Sequence, residues 1–264
     1  MNKIKNSEIS IILPTLNEGR NLEFLIPDIF KFLSSKIERF EIIIVDDGST
    51  DNTYEICRYF TDREYNLKLI KRNPPASLPI SIYEGIDHAT TNNVMWLDAD
   101  GSMPVVALEK LVNKFFIDER KVIVGSRFIQ GGGYKGVSDL NTSFIKAIKN
   151  VRNSNDSVFG MVLSIYFNKF LARVFKSPVS DLTSGFIVGN KSRFKKDFFE
   201  KSNYGEYFIY LIKDLINDNV TIEEVGYICE TRVYGVSKTA SSLYQLINRG
   251  IPYIKAAYNC RKGF

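Results

Sequence analysis

Asp98 and Asp100 directly follow a run of apolar residues in the stretch VMWLDADGSMP. In an extended segment residues i and i+2 face the same side, so both carboxylates can reach one point. Two such charges repel each other unless a cation lies between them. Mg²⁺ and Mn²⁺ take one or two protein carboxylates and complete their coordination with water and ligand phosphates. The spacing therefore indicates a divalent-cation site that holds a diphosphate.

The same stretch also resembles the nucleophile motif of haloacid-dehalogenase-type phosphatases. In that alternative Asp98 is the nucleophile, Asp100 is the acid/base, and the run VIVGS, residues 122–126, is the second motif. The alternative gives no role to the stretches PTLNE and VDDGSTD. It also lacks a later pair of acids that would complete the metal site.

Polar residues follow the ends of four short apolar runs that are typical of strands. Each set alone is also what turns and helix caps require. In a parallel sheet, however, the carboxyl ends of the strands lie on one edge, and ligands bind there. Together the sets predict one binding site at that edge. In chain order they are Pro14, Thr15, Asn17 and Glu18; Asp46, Asp47, Gly48 and Ser49; Asp98 and Asp100; Ser126 and Arg127.

Strand and helix patterns alternate in the first half of the chain. The runs that predict strands are EISIILP, FEIIIVD, NLKLIKR, NNVMWLD and KVIVGSR. Helical spacing of apolar residues occurs in NLEFLIPDIFKFL and near residues 79–89 and 105–116. This alternation predicts an α/β fold in which helices cover a mostly parallel sheet.

The second half is less regular. The stretch QGGGYKG predicts a flexible hinge, and residues 137–160 predict a mobile loop. VLSIYFNKFLARVF and YGEYFIYLIKDLI predict helices, and SDLTSGFIVG predicts a strand or turn. With no internal repeat or clean linker, we expect one domain over residues 1–240 and a basic amphipathic tail over residues 241–264.

Composition excludes several classes of protein. A chain of 264 residues that is 44% hydrophobic can bury a full core. Its three cysteines lack metal-ligand spacing and suit a reducing compartment. The single histidine, His88, excludes a site built from several histidines and is expected near a helix end. Without a secretory signal or a run of about 20 apolar residues, we expect a protein that is neither exported nor membrane-spanning.

Basic residues concentrate in two segments, although the whole chain carries a net charge of only +5. Residues 231–264 contain six basic residues and no acid, and residues 131–180 contain seven basic residues against two acids. The rest of the chain is therefore net negative. Such asymmetry indicates an anionic partner for the two basic segments.

A succession of motifs resembles that of family 2 glycosyltransferases. The motifs, in order, are ILPTLNEGRNL, IIIVDDGSTD, WLDADGSMP, GSRFIQGGG, FNKFLAR, VSDLTSGF and RVYGVSK. Over residues 8–240 they are most similar to the branch of dolichol-phosphate mannosyltransferases and polyprenol-phosphate glycosyltransferases. The resemblance implies a GT-A (Rossmann-like) fold and an inverting, metal-dependent transfer of sugar from a GDP- or UDP-sugar to a polyprenyl phosphate.

The resemblance also implies roles for individual residues on the donor side. Asp46 and Asp47 would contact the base and the ribose. The ligands of Mg²⁺ or Mn²⁺ would be Asp98, Asp100 and Ser102, the last standing where the dolichol-phosphate enzymes have a glutamine. The nucleotide pocket would be lined by Pro14, Leu16, Asn17 and Glu18.

On the acceptor side the implied residues are mostly cationic. A lipid phosphate is largely dianionic at neutral pH, since its second pKa lies near ~6, and needs no strong base. A sugar hydroxyl would need a carboxylate to take its proton, and Asp181 is the candidate for that role. With a phosphate acceptor, Asp181 would instead brace the acceptor loop. The phosphates of donor and acceptor would be gathered by Arg127, Arg232, Ser237 and Lys238.

Two other functions remain open from the residues alone. One is transfer to a sugar hydroxyl in a capsule or cell-wall glycan, and the other is a non-catalytic module that binds nucleotide sugars. Transfer to a lipid requires a place at the membrane, and we expect a peripheral protein on the cytoplasmic face. No nucleic acid partner is expected.

The C-terminal stretch SSLYQLINRGIPYIKAAYNCRKGF mixes aromatic, aliphatic and basic residues, as helices at membrane surfaces do. Gly250 and Pro252 predict that it forms two short amphipathic interfacial helices. They would contact an anionic membrane surface, and residues 131–176 would supply a second contact. In one alternative the apolar residues of the tail pack on the domain. In another, a separate membrane protein anchors the enzyme.

Overall fold

A computed structural model describes residues 3–134, 158–232, 234 and 243–262 of the chain. Most of the predicted mobile loop, residues 137–160, lies outside these ranges. So do Ser237 and Lys238.

Seven strands form the central sheet, in the order β3-β2-β1-β4-β7-β5-β8. β7 is antiparallel to both of its neighbours, and the other pairs are parallel. β6 and β9 pair separately, in parallel. The strands are β1 (Ile4–Thr15), β2 (Ile37–Asp46), β3 (Leu67–Lys71), β4 (Asn93–Trp96), β5 (Val122–Ser126), β6 (Gly133–Tyr134), β7 (Ile187–Asn190), β8 (Ile222–Gly226) and β9 (Ile228–Cys229).

Helices cover both faces of the sheet, which confirms the predicted mostly parallel α/β architecture. Those in the described ranges are α1 (Gly19–Lys36), α2 (Thr53–Thr61), α3 (Leu78–Asp87), α4 (Val105–Phe115), α5 (Val158–Phe175), α6 (Lys196–Glu200), α7 (Tyr207–Asn217) and α8 (Leu243–Lys262). None of them combines the length and the apolar character needed to cross a membrane.

Successive residues of each central strand contribute to two separate cores. Ile11 and Leu13 of β1 pack with α1, α2 and α4, whereas Ile12 packs with α3, α5, α7 and α8. Burial on both faces explains why the strands read as continuous apolar runs rather than alternating ones. The carboxyl ends of the six parallel strands lie at one edge of this sheet, between the two layers of helices.

The edge strand β8 was not predicted from the sequence. Its residues are all half-buried, and Glu223 and Glu224 interrupt the apolar pattern. Both acids have partners in the structure. Glu223 forms ion pairs with Lys114 and Lys121, and Glu224 accepts hydrogen bonds from the backbone that precedes β7. The strand is therefore defined by contacts with distant residues and not by its own hydrophobic pattern.

The C-terminal segment forms one helix, so the prediction of two short helices is wrong. Pro252 lies inside α8, where its ring removes one backbone hydrogen bond. Packing of the inner side offsets this cost, because Ala256, Ala257 and Cys260 are buried against α5 and α7. The alternative in which the apolar residues of the tail pack on the domain describes this inner side.

The cysteines and the histidine are placed as expected. Cys57, Cys229 and Cys260 are free thiols. His88 follows the last residue of α3, is exposed, and has Nδ1 2.9 Å from the carbonyl oxygen of Glu84.

Replacing two helical glycines with alanine should change the free energy of unfolding in opposite directions. A methyl group at Gly85 would overlap the buried side chain of Ile12, whereas one at Gly250 would lie 3.6 Å from the ring of Phe167, an ordinary contact. We expect Gly85→Ala to lower the free energy of unfolding by about 1–2 kcal/mol through overpacking. Gly250→Ala should raise it by up to ~1 kcal/mol because alanine is the better helix former. Urea denaturation of both variants measures this, and a stabilised Gly85→Ala protein would contradict the packing.

Candidate functional site

The polar residues that follow the strands converge on one edge of the sheet. Asn17 and Ser49, from the first two sets, are joined by a hydrogen bond of 2.8 Å from the Asn17 backbone N–H to Ser49 Oγ. The Asn17 side chain in turn accepts a 2.7 Å bond from the backbone N–H of Thr50. Asp98 lies within electrostatic reach of Glu18 and Arg127, which belong to the first and last sets.

Asp98 and Asp100 form a pair of neighbouring carboxyl groups, the first half-buried and the second buried. Asp100 is only 4% exposed, accepts a 2.9 Å hydrogen bond from the backbone N–H of Ser102, and forms a 2.9 Å ion pair with Arg232 Nε. Burial, followed by the neighbouring Asp100 carboxylate, raises the pKa of Asp98 to about 7. The guanidinium groups of Arg232 and Arg127 act in the opposite direction.

The donor set at this pair fits a hard divalent cation. Both groups are carboxylates, and a cation between them would relieve the repulsion that raises the pKa of Asp98. The described residues contain no group of three or more His, Cys, Asp or Glu side chains that could enclose a metal. Two carboxylates are enough for Mg²⁺, which commonly completes its coordination with water and ligand phosphates.

The segment after β9 is tied to the acidic pair at two points. The backbone N–H of Glu230 donates a 2.9 Å hydrogen bond to the carbonyl oxygen of Ser102. Two residues later, Arg232 reaches Asp100. Ser102, predicted as a metal ligand, thus lies where this segment crosses the loop that follows β4.

Arg127 is committed to a buried ion pair with Asp181. The backbone N–H and Nε of Arg127 donate to Asp181 Oδ2 at 3.0 and 2.8 Å, and Nη2 donates to Oδ1 at 2.8 Å. Nη2 also donates to Thr183 Oγ1, which accepts a further bond from Asn168. Burial alone would lower the pKa of Arg127, but the Asp181 carboxylate raises it well above its ordinary value. Nη1 carries no hydrogen bond to any described residue.

Arg72, which the sequence reasoning missed, occupies the end of β3. It donates from Nη1 to Asp47 and lies 3.3 Å through Nε from Glu84. Asp47 also accepts a 2.6 Å bond from the backbone N–H of Ser77, while Asp46 accepts one from Ser49. The signal was present, since Arg72 follows a strand run just as the other sets do.

A cleft of about 480 Å³ opens beside the first set and includes Asn17, Glu18 and Tyr234 in its lining. Asn21 connects two of these walls. Its Nδ2 donates to Glu18 Oε2 at 2.6 Å, and its side chain exchanges hydrogen bonds of 3.2 and 3.3 Å with the backbone N–H and carbonyl of Tyr234. Sequence spacing could not reveal this contact, because the two residues are 213 positions apart.

The remaining residues predicted for the nucleotide pocket lie on the same edge. Pro14 pairs with Val45 at the end of β1, and Leu16 follows β1 directly. Both are half-buried. The structure therefore brings together all of the predicted site residues that it describes.

Comparison with known proteins identifies the family. The model of the family described as Glycosyl transferase family 2 matches residues 10–198. A dolichol-phosphate mannosyltransferase from Pyrococcus furiosus is 31% identical over 125 residues, which are 47% of this chain and 34% of that protein. A dolichyl-phosphate beta-glucosyltransferase from Saccharomyces cerevisiae is 31% identical over 111 residues, 40% of this chain and 33% of that protein. The matched stretch spans about a third of each relative.

Solved structures share the fold. Glucosyl-3-phosphoglycerate synthase from Mycobacterium tuberculosis, in complex with Mn²⁺, UDP-glucose and glycerol 3-phosphate, has a TM-score of 0.61 and 15% identity. The likeness covers 97% of this chain and 80–81% of that enzyme in this and a related complex. The predicted GT-A fold is thereby confirmed, and the phosphatase alternative is excluded. The family model covers well over half of this chain, and the chain therefore belongs to glycosyl transferase family 2.

Proposed function

We propose that the protein moves one sugar, with inversion, from a nucleotide diphosphate sugar to a polyprenyl phosphate at the cytoplasmic face of the membrane. The names of the two relatives, both dolichol-phosphate glycosyltransferases, support the acceptor class. The observation that carries the proposal is the ion pair between Asp181 and Arg127. In this pair Asp181, the carboxylate that would have to take the proton of a hydroxyl acceptor, is already bound to Arg127.

The ion pair favours an acceptor that arrives already ionised. Asp181 is fully buried, and both of its oxygens accept hydrogen bonds from Arg127. A sugar hydroxyl must lose its proton to a positioned base, and Asp181 could take that proton only after the pair breaks. A phosphate monoester needs no such base, since its second pKa of ~6 leaves it largely dianionic at neutral pH.

The reaction is a displacement at the anomeric carbon of the donor sugar. An oxygen of the acceptor phosphate attacks that carbon, and the bond from the carbon to the diphosphate oxygen breaks. The nucleoside diphosphate leaves with the electron pair, and attack from the opposite face inverts the anomeric configuration. Arg232 and Nη1 of Arg127 would position the mutually repelling phosphates.

Residues on the donor side would hold the leaving group. Asp98 and Asp100, with Ser102 beside them, would bind Mg²⁺ or Mn²⁺; the fold neighbours are complexes with these ions and UDP. A bound cation would neutralise the charge that develops on the leaving diphosphate. Asp46 and Asp47 would contact the base and ribose, and Arg72 holds the Asp47 side chain in place. Pro14, Leu16, Asn17 and Glu18 would line the pocket, and Ser237 and Lys238 remain proposed phosphate contacts.

The outer sides of α5 and α8 support a place at the membrane surface. These helices pack side by side, with the rings of Phe167 and Tyr253 in edge contact at 6.0 Å between centroids. On α5 the exposed aromatic residues Tyr166 and Phe170 lie next to Lys169 and Arg173. Over residues 250–262 of α8, the exposed side chains include no acid and are Ile251, Ile254, Lys255, Tyr258, Arg261 and Lys262. Each basic residue near an anionic leaflet contributes about 1 kcal/mol.

Label transfer tests the proposed reaction. The purified protein, with Mn²⁺ or Mg²⁺, is incubated with labelled GDP- and UDP-sugars in the presence or absence of polyprenyl phosphate. We expect lipid-extractable label from one donor and loss of the signal with EDTA. Label on a soluble glycan hydroxyl, or donor binding without any transfer, would overturn the proposal in favour of the two other functions.

Asp100→Asn tests the metal role in the same assay. Losing one carboxylate of the pair weakens the neutralisation of the leaving group, so we expect kcat to fall by about 10²–10³. Asp62→Asn, at an exposed carboxylate after α2, is the matched control and should retain full turnover. An Asp100→Asn protein with unchanged kcat would contradict the role of this pair.

The bracing role of Asp181 predicts a specific pattern of stability. Arg127→Met leaves the fully buried Asp181 charge without its partner, and this should cost about 3–5 kcal/mol in the free energy of unfolding. Adding Asp181→Asn should recover part of the loss, because no charge then remains buried. Lys196→Met breaks an exposed ion pair with Glu200 and should cost less than ~1 kcal/mol. Guanidinium denaturation gives all three values, and a small loss for Arg127→Met would refute the brace.

Vesicle binding tests the membrane face. Ile251→Glu places a negative charge between the cations of α8, and we expect about tenfold weaker binding to vesicles rich in phosphatidylserine. Ile117→Glu makes the same change at a residue that is 78% exposed beyond α4 and should bind as the unmodified protein does. Equal losses in both variants would show that net charge, and not this face, determines binding.

A further inference from the structure

A second cavity, of about 440 Å³, lies between α5 and the segments that carry the Arg127–Asp181 pair. Phe128, which follows Arg127, and Ser180, which precedes Asp181, form one wall. None of the roles assigned so far uses this space.

The α5 wall of the cavity places two cations one helical turn apart. Lys169 and Arg173 both line it and are exposed, and neither forms an ion pair with a described residue. Among the described residues that line the cavity, none is acidic. Like charges at positions i and i+4 destabilise a helix. The helix dipole favours Arg173 in the last turn of α5, but this effect fades before Lys169. An anion between the two side chains would relieve their repulsion.

Asn168 connects the cavity to the reaction centre. It lines the cavity, is only 1% exposed, and donates a 2.8 Å hydrogen bond from Nδ2 to Thr183 Oγ1. The same Thr183 oxygen accepts from Arg127. Oδ1 of Asn168 is buried and has no partner among the described residues. Asn168 therefore links the cavity to Arg127 through Thr183. A ligand in the cavity could also donate a hydrogen bond to Oδ1 of Asn168.

Three further lining residues are apolar and determine which anions the cavity favours. Phe128, Ile165 and Ala172 would suit a hydrocarbon chain, whereas a soluble sugar phosphate would find few partners for its hydroxyl groups. Around α5, at 3.6 residues per turn, the cations lie between the cavity on one side and exposed Tyr166 and Phe170 on the other. The cavity thus opens towards the face proposed to contact the membrane.

We infer that this cavity binds the phosphate-bearing end of the acceptor lipid. Lys169 and Arg173 neutralise its phosphate, and the apolar walls hold the isoprene unit next to it. The inference rests on the proposed function, because it locates the acceptor of that reaction.

The test uses geranyl phosphate, a water-soluble isoprenyl phosphate, so that no bilayer is involved. Lys169→Gln/Arg173→Gln is compared with Lys31→Gln/Arg58→Gln, which removes one lysine and one arginine charge from exposed positions on α1 and α2. By titration calorimetry of the full chain we expect the first double variant to bind at least about tenfold more weakly and the second to change less than about twofold. Equal losses in both would overturn the inference.

A cavity-filling variant distinguishes a lipid phosphate from a free one. Ala172→Phe should weaken the binding of geranyl phosphate by about tenfold and leave the binding of inorganic phosphate unchanged. Only the isoprenyl ligand needs the apolar volume that the new side chain fills. If inorganic phosphate binds the unmodified protein as tightly as geranyl phosphate does, the assignment to a lipid is overturned.

Kinetics separates failure of this inference from failure of the proposed function. In the transfer assay, Lys169→Gln/Arg173→Gln should raise KM for the lipid acceptor about tenfold and leave KM for the donor within about twofold. Transfer with an unchanged acceptor KM would refute the cavity and leave the proposed function intact. Geranyl phosphate binding that depends on the two cations, without transfer to any lipid, would support the cavity and refute the proposed function.

Discussion

The segment after β4 places two carboxylates, the half-buried Asp98 and the buried Asp100, close enough for their charges to repel each other. Such an arrangement is stable only if positive charge compensates it. Without a ligand, the protein supplies that charge from distant parts of the chain. Arg232 comes from the segment after β9, and Arg127 from the end of β5. The cluster therefore requires the two halves of the sequence to meet at this edge of the sheet.

The segment after β9 is held at several points, and these contacts connect the acidic pair to the nucleotide cleft. Glu230 contacts Ser102, Arg232 contacts Asp100, and Tyr234 is bonded to Asn21, which also holds Glu18. A donor bound against Glu18 and the acidic pair would touch both ends of this segment. Because coupling between sites is reciprocal, any acceptor contact on the same segment would also change donor affinity.

Local patterns were sufficient to predict β1 to β5, the helices α1, α3 and α4, and the edge where the site lies. They were sufficient because a sheet covered on both faces needs long apolar runs, and parallel strands end together. Local patterns failed where contacts between distant residues determine the secondary structure. Glu223 and Glu224 are accommodated in β8 by partners elsewhere in the chain, and burial of Ala256 outweighs the proline in α8. The bond from Asn21 to Tyr234 and the pairing of Arg127 with Asp181 have no trace in spacing, so the bracing of the site required the structure.

The inner side of α8 has a consequence for how the chain reaches its folded state. The core on that side of the sheet combines residues of β1 and β2 with Ala256, Ala257 and Cys260 of α8, which are more than 200 positions further along the sequence. During synthesis this core stays incomplete until α8 leaves the ribosome, while the opposite core, built from α1, α2 and α4, can form earlier. In the interval, the apolar sides of α5 and α7 that α8 later covers face the solvent. If the nascent chain lies close to a bilayer, these apolar sides could contact the membrane until α8 covers them.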